Sequence, residues 1–505
     1  MASIETVWVL GDQLAIDVGP LRNRAPGSCR VLMVESRRKL GAKRWHRQRL
    51  HVVLSSMRHF AAELRTVGYE VDYRQAGTLS EGLAAHRAQL DVRRIVAMEP
   101  MSWDARSMLS RAGVDLEPNE QFACHYDEFA AWADGRRSFK MEDFYRWQRT
   151  RFDLLMDDGE RGRVPAGGRW NFDHENRERP PKDGRRWPEV EAFARDAIDD
   201  EVAREIEEGG WSVWGAPADG LWPVTRQQAL RRLEEFISTG LAPFGAHEDA
   251  MLGAEWKLAH SVLACSMNLG LLHPIEIIEA AERSYRAGAA PINSVEGFVR
   301  QVIGWREYVW GVYWLWMPSY RAENRLDARR PVPPAFTGEA PTDMACVSNV
   351  IAKIEAKGYA HHIERLMVLG NLALTAGVDP AAMTDWMWAS FVDGAEWVML
   401  PNVVGMALHA DGGRMATKPY ASGGAYINKM SDHCRGCRFN PKLRTGPDAC
   451  PYTTLYWDFL ARNEPAFVGN HRMGQQLAGM RRLADLEAVR ERAAEVLVAL
   501  DAGRL

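Results

Sequence analysis

Up to about residue 130, short apolar runs alternate with stretches whose apolar positions recur at helical spacing. Residues 6–10 (TVWVL), 31–34 (VLMV), 71–73 and 95–98 read as buried strands. Between them, residues 45–67 set Met57, Phe60 and Leu64 on one helical face. Strands alternating with helices predict a parallel, Rossmann-like sheet. The first turn, Gly11-Asp12-Gln13-Leu14, lacks the G-x-G-x-x-G fingerprint, so ordinary dinucleotide binding there is unsupported. A ligand at the strand ends still suits an open α/β sheet.

From about residue 221 the pattern changes to long helices, over 225–239, 254–268, 274–287, 295–315, 346–357 and 361–376. The stretch between, 131–220, is rich in Gly, Pro and Arg, and from Arg136 to Trp187 Lys and Arg outnumber Asp and Glu. It reads as a connector, either a solvated linker or a strip that contacts phosphates without sequence choice. The predicted architecture is an α/β Rossmann-like N-terminal domain (1–130), a linker (131–220), a large all-α domain (221–433) and a C-terminal extension (434–505).

The 505 residues, 46% hydrophobic and 26% charged, suit a soluble chain of two or three domains. The net charge of −4 advertises no nucleic-acid partner, so any phosphate-binding surface must be a local patch. The N-terminus has neither the basic start nor the long apolar core of a secretory signal, and no apolar run approaches a membrane span. Seven unevenly placed cysteines argue against a disulfide framework, and a cytoplasmic protein is expected. The 19 tryptophans are the anomaly. Trp305, Trp310, Trp314, Trp316, Trp386, Trp388 and Trp397 read mostly as interhelical packing, with a stacking surface or electron path as the sharper reading.

Cys434-Arg-Gly-Cys437 is a C-x2-C pair, and Cys450 follows with a proline after it. With Cys346 as the candidate fourth ligand, the set can hold zinc or an iron–sulfur cluster, and zinc is the commoner outcome for such spacing. Cys29, Cys124 and Cys265 read as ordinary buried thiols.

Eight stretches carry a resemblance over nearly the whole chain: LGDQL (10–14), SMRHFAAELR (56–65), GGRWNFDHENR (167–177), FGAHEDAML (244–252), EGFVRQVIGWREY (296–308), YAHHIERLMVLGN (359–371), EWVMLPN (396–402) and TKPYASGGAYINKMSDHCRGC (417–437). They resemble the iron–sulfur bacterial cryptochromes and photolyases. The resemblance implies FAD folded inside the helical domain and a [4Fe–4S] cluster, rather than zinc, on Cys346, Cys434, Cys437 and Cys450. It also implies a 6,7-dimethyl-8-ribityllumazine antenna near Asp12 and Glu35. The implied partner is UV-damaged DNA and the implied reaction is light-driven repair of (6-4) pyrimidine photoproducts by a DNA photolyase, expected as a monomer without a membrane.

By the same resemblance, His260, Ser261 and Leu263 face the FAD phosphates, and Phe244, Arg300, Trp305 and Arg306 lie against the cofactor. Arg365 and Asp393 sit beside the flavin ring, and Asn402 at its edge. His362, with His361 next to it, is the candidate proton donor, since an imidazolium has a proton available near neutral pH. Tyr420 lines the lesion pocket and Trp386 relays electrons. Phe336, Met387 and Met399 stand where relatives have a Trp, a Tyr and a Glu, which changes the electron path and the charge beside the lesion. Two rival functions are a blue-light photoreceptor with an unknown regulatory partner, and a non-photoactive nucleic-acid module built on zinc.

Overall fold

Five strands form one parallel sheet: β1 (Ile4–Trp8), β2 (Cys29–Ser36), β3 (Glu70–Ala76), β4 (Val92–Met98) and β5 (Asp115–Glu117), in the order β3-β2-β1-β4-β5. The structure is a computed structural model that describes residues 4–160 and 162–505. Four strands overlap the apolar runs: three contain their run and extend it by one to three residues, whereas β1 is shifted two residues toward the N-terminus. The fifth, Asp-Leu-Glu, has no apolar run to betray it, because it pairs on one side only, at the sheet edge.

Alternate residues of each inner strand enter different cores. Val7, Val9, Val31 and Met33 pack with Val52, Met57, Phe60 and Leu64 of α1 (Arg47–Thr66). Trp8, Leu10, Leu32 and Val34 pack with Leu83 of α2 (Leu79–Gln89) and Leu109 of α3 (Trp103–Arg111). A parallel sheet covered on both faces results. Its strand order reverses beside β1, so the carboxyl ends of β1 and β4 open a crevice there.

The connector contains α4 (Ala197–Glu208), which docks on α1: Arg58 reaches Glu205 at 2.5 Å and Arg47 reaches Glu207 at 2.8 Å. The remaining chain is helical. A nearly continuous run, α5 (Ile292–Val299), Arg300–Arg306 and α6 (Glu307–Trp316), crosses the aromatic core, where Trp310 stacks on Phe122 with ring centroids 3.9 Å apart. Trp310 and Trp397 are fully buried, in keeping with a packing role. Beyond it lie α7 (Ala345–Lys357), α8 (Asn371–Ala376), α9 (Pro380–Ser390), α10 (Glu396–Pro401), α11 (Gly424–Met430), α12 (Pro451–Arg462) and α13 (Leu486–Asp501).

The helix expected over 254–268 is largely absent, and only Ala264–Asn268 is helical. The carbonyl of Lys257 accepts both the backbone N–H of His260 (2.9 Å) and its ring nitrogen (2.8 Å), which closes a turn. Leu258 and Val262 take left-handed φ values of 50° and 51°, unusual for side chains of their bulk. The apolar spacing here buries Leu258, Ala259 and Leu263 without a helix.

Candidate functional site

Among the described residues, four wide, π-helical stretches interrupt the helices of this half, Phe236–Gly240, Arg300–Arg306, Glu364–Gly370 and Asn402–Ala407, and the last three concern the expected site. Such turns gather at functional positions because the extra residue pushes backbone and side chains out of the helical repeat. They carry Arg300, Trp305, Arg306, Arg365 and Asn402.

Arg365 is held as a two-pronged fork, its Nη1 and Nη2 donating to Asp393 Oδ1 and Oδ2 at 2.9 and 3.0 Å. Its Nε donates to the Ala360 carbonyl at 2.6 Å, and its plane lies 4.0 Å from the Phe391 ring centre. His361 is fully buried and stacks on His260 at 4.6 Å, with Phe244 edge-on to His260 at 5.7 Å. Neither ring nitrogen of His361 has a hydrogen-bond partner. Because a carbonyl can only accept, His260 carries its proton on Nδ1 and turns Nε2 outward as an acceptor. Ser261 Oγ accepts weakly from the Leu263 N–H at 3.5 Å, and Leu263 is itself buried, offering only backbone.

His362 is exposed, yet the protein around it still pushes its pKa down to about 4, with Arg365 adding to the effect. In the free protein this favours the neutral ring of His362 near pH 7. Burial likewise lowers His260 to about 4 and pushes His361 well below its ordinary value.

Other expected residues divide between two further places. Arg300 points to Asp173 (3.3 Å) and Glu296 (3.5 Å), with Nε and Nη2 unpartnered. Burial raises nearby Glu248 to about 8 and Asp249 to about 6. Tyr420 feels the charges of Arg177, Asp173 and Asp249, so it belongs with this group. Arg306 is engaged elsewhere: its Nη1 donates to Glu307 at 2.6 Å and it lies 4.1 Å over Phe122, next to the sheet domain. Trp305 meets Tyr308 edge-on at 6.1 Å. Asn402 spends its amide N–H on the Val398 carbonyl of its own helix, 2.8 Å away. Trp386 touches Phe336 (5.3 Å) and Phe391 (6.1 Å), which links it to Arg365 through one aromatic ring. Met387 and Met399 are buried.

Cys346 of α7, Cys434, Cys437 and Cys450 line one pocket together with Gly424 and Tyr452. A Cβ on Gly424 would lie 2.8 Å from the Cys450 sulfur, so glycine is required to leave this space. Among the described residues, no three of these sulfurs come within 4.8 Å of one another. Four thiolates on one zinc would be about 3.8 Å apart, given a Zn–S bond of about 2.3 Å. The wider cradle fits a multinuclear cluster better. Burial raises the Cys346 thiol well above its ordinary range and Cys434 to about 12, so a cationic centre is needed to make them thiolates.

At the sheet crevice, Glu35 receives Arg58 Nε and Nη2 (2.9 and 3.1 Å) and the Tyr73 hydroxyl. Asp12 is raised by burial, partly offset by Lys39 and Arg49. Arg49 escaped the sequence reading. It donates to the Phe391 and Val392 carbonyls (3.3 and 3.2 Å) and lies in the field of both Asp12 and Asp393, joining the crevice to the Arg365 fork. A charged residue on the same helical face as Val52, Ser56 and Phe60 was the available signal.

The sequence profile of the family described as deoxyribodipyrimidine photo-lyase-related protein matches residues 7–222. A (6-4) photolyase of Agrobacterium fabrum is 41% identical over 98% of this chain and 100% of its own. Among solved structures, a bacterial class III photolyase from Agrobacterium tumefaciens aligns with a TM-score of 0.56 at 14% identity, over 99% of this chain and 98% of the other. A cryptochrome of Synechocystis sp. PCC6803 aligns with a TM-score of 0.57 at 13% identity, over 95% of this chain and 99% of the other. These two share the fold.

Proposed function

This chain belongs to the photolyase and cryptochrome family, and from that membership we propose that it is a DNA photolyase that reverses (6-4) pyrimidine photoproducts under light. The observation that carries this reading is the single turn of chain that exposes His362 and fixes Arg365 against Asp393. The family implies FAD, and the unpartnered nitrogens of His361 together with the preset Arg365 fork fit a polar, anionic cofactor. Reduced FAD, when bound, supplies the electron that light drives into the lesion.

The residues of the chain do the rest. Arg365, locked by Asp393, keeps a fixed positive charge against the side of the cleft that must tolerate negative charge. His260 and His361 form a neutral wall. His362 gives a proton from a ring nitrogen to the lesion once an anion has raised its pKa. The lesion reaches it by turning out of the duplex. The exposed Arg177, Arg179, Lys182, Arg185 and Arg186 hold the backbone phosphates.

In the same reading, Cys346, Cys434, Cys437 and Cys450 hold a [4Fe–4S] cluster that ties the C-terminal segment to α7. A lumazine antenna occupies the crevice near Asp12 and Glu35. The deciding experiment illuminates the purified, fully reduced flavoprotein with (6-4) DNA and follows recovery of normal bases. Recovery is expected. Its absence, with FAD loaded and reduced, would reject repair and favour light sensing.

A further inference from the structure

Away from the cleft, α1 and the connector helix α4 meet at His59, Asp196 and Asp199. We propose that these three side chains form a binding site for a divalent transition-metal ion of the zinc type. His59 Nε2 lies 3.4 Å from Asp199 Oδ1 and 3.6 Å from Asp196 Oδ1. All three ligand atoms fall within 4.8 Å of one another. Ligands about 2.0–2.1 Å from a tetrahedral zinc stand about 3.3 Å apart, so the spacing already suits the ion.

The second observation is an unmet hydrogen-bonding demand. Asp199 is only 3% exposed, and its Oδ1 has no hydrogen-bond partner although it faces the cluster. His59 Nε2 is also buried and unpartnered. The two atoms face each other as an ion pair at 3.4 Å whose geometry falls short of a hydrogen bond, and an ion bridging them would satisfy both. The other oxygen, Asp199 Oδ2, is occupied by the Asp196 N–H at 3.2 Å, which fixes the carboxylate's orientation. His51 packs behind Asp199: its Nε2 lies 3.1 Å from the Asp199 carbonyl and 4.0 Å from Oδ1. Asp196 is exposed, which leaves a path for the ion and for a water as fourth ligand, although its Oδ1 also accepts the Ile198 and Asp199 N–H groups at 2.8 and 3.2 Å.

The location also selects the kind of ion. Both aspartates sit at the N-terminus of α4, whose partial positive charge opposes any cation. Two carboxylates offset that charge, but the imidazole must add affinity, which favours zinc over magnesium or calcium. An ion here would clamp the connector to the sheet domain one residue from Arg58, the partner of Glu35.

The test titrates the holoprotein, flavin and iron in place, with zinc chloride by calorimetry and follows its melting temperature. His59→Gln removes the nitrogen ligand at similar volume. Asp196→Ser keeps an N-cap oxygen but removes the carboxylate. The expected result is one zinc per chain, at least tenfold weaker binding in both variants, and a zinc-dependent rise in melting temperature in the parent alone. The proposal is overturned if the parent binds no zinc, which leaves a His59–Asp199 ion pair only. It is equally overturned if both variants bind zinc as the parent does, which marks an adventitious ion only.

Discussion

Two buried corners of this molecule are rich in ionisable groups but differ in how completely those groups are paired. At the Glu35 corner, Arg58 and Tyr73 satisfy the carboxylate, and Arg58 also reaches Glu205. At the His361 corner, neither ring nitrogen has a hydrogen-bond partner. The first network is complete before any ligand arrives. The second is completed only by one. Burial alone does not separate the two corners; the completeness of their hydrogen bonding does.

The largest way to break the contrast is to remove a sulfur from the cysteine cradle. Cys346→Ala should abolish iron binding almost entirely and lower thermal stability, read by iron assay and circular dichroism. Next, Asp393→Ala leaves the Arg365 guanidinium without its fork partner. It should cost about 3–5 kcal/mol and release flavin, read by denaturation and flavin absorbance. His362→Asn should leave flavin content unchanged and slow repair about 10²–10⁴-fold. If repair is unaltered, the proton comes from elsewhere.

Smaller effects sharpen the comparison. Glu35→Gln should cost about 1–3 kcal/mol, because Arg58 loses one charged partner, while flavin binding stays as it was. Acid should act on the histidine corner. The pKa of His260 and of His362 is depressed from the ordinary 6.5 to about 4, so the unfolded chain takes up their protons first. Stability from these groups is present above pH 6.5 and lost as pH falls toward 4. Melting temperature should fall across that window, and His260→Asn should flatten the slope.

Much of the fold could be read from the chain. The apolar runs at 31–34, 71–73 and 95–98 lie in parallel strands, the run at 6–10 overlaps a fourth over residues 6–8, and the periodicity at 295–315 lies in the helical run that crosses the core. Asp115–Glu117 was invisible because an edge strand of three residues needs no apolar run. Residues 254–263 misled because buried loops and helices can share the same apolar spacing. At the site, the two histidines and the Arg365–Asp393 pair were legible as residues, but the charge of His362 was not. Arg49 was hidden because its partners, Asp12 and Asp393, lie far off in the sequence.

What the sequence alone determined was periodicity, residue type and spacing: which segments alternate, where thiols and histidines recur, and which stretches match a family. Tertiary structure decided the separation of the four sulfurs, the neutrality of the histidine wall and which carboxylate each buried arginine meets. Those properties depend on desolvation and on distances between side chains that only folding brings together, and no local pattern encodes them.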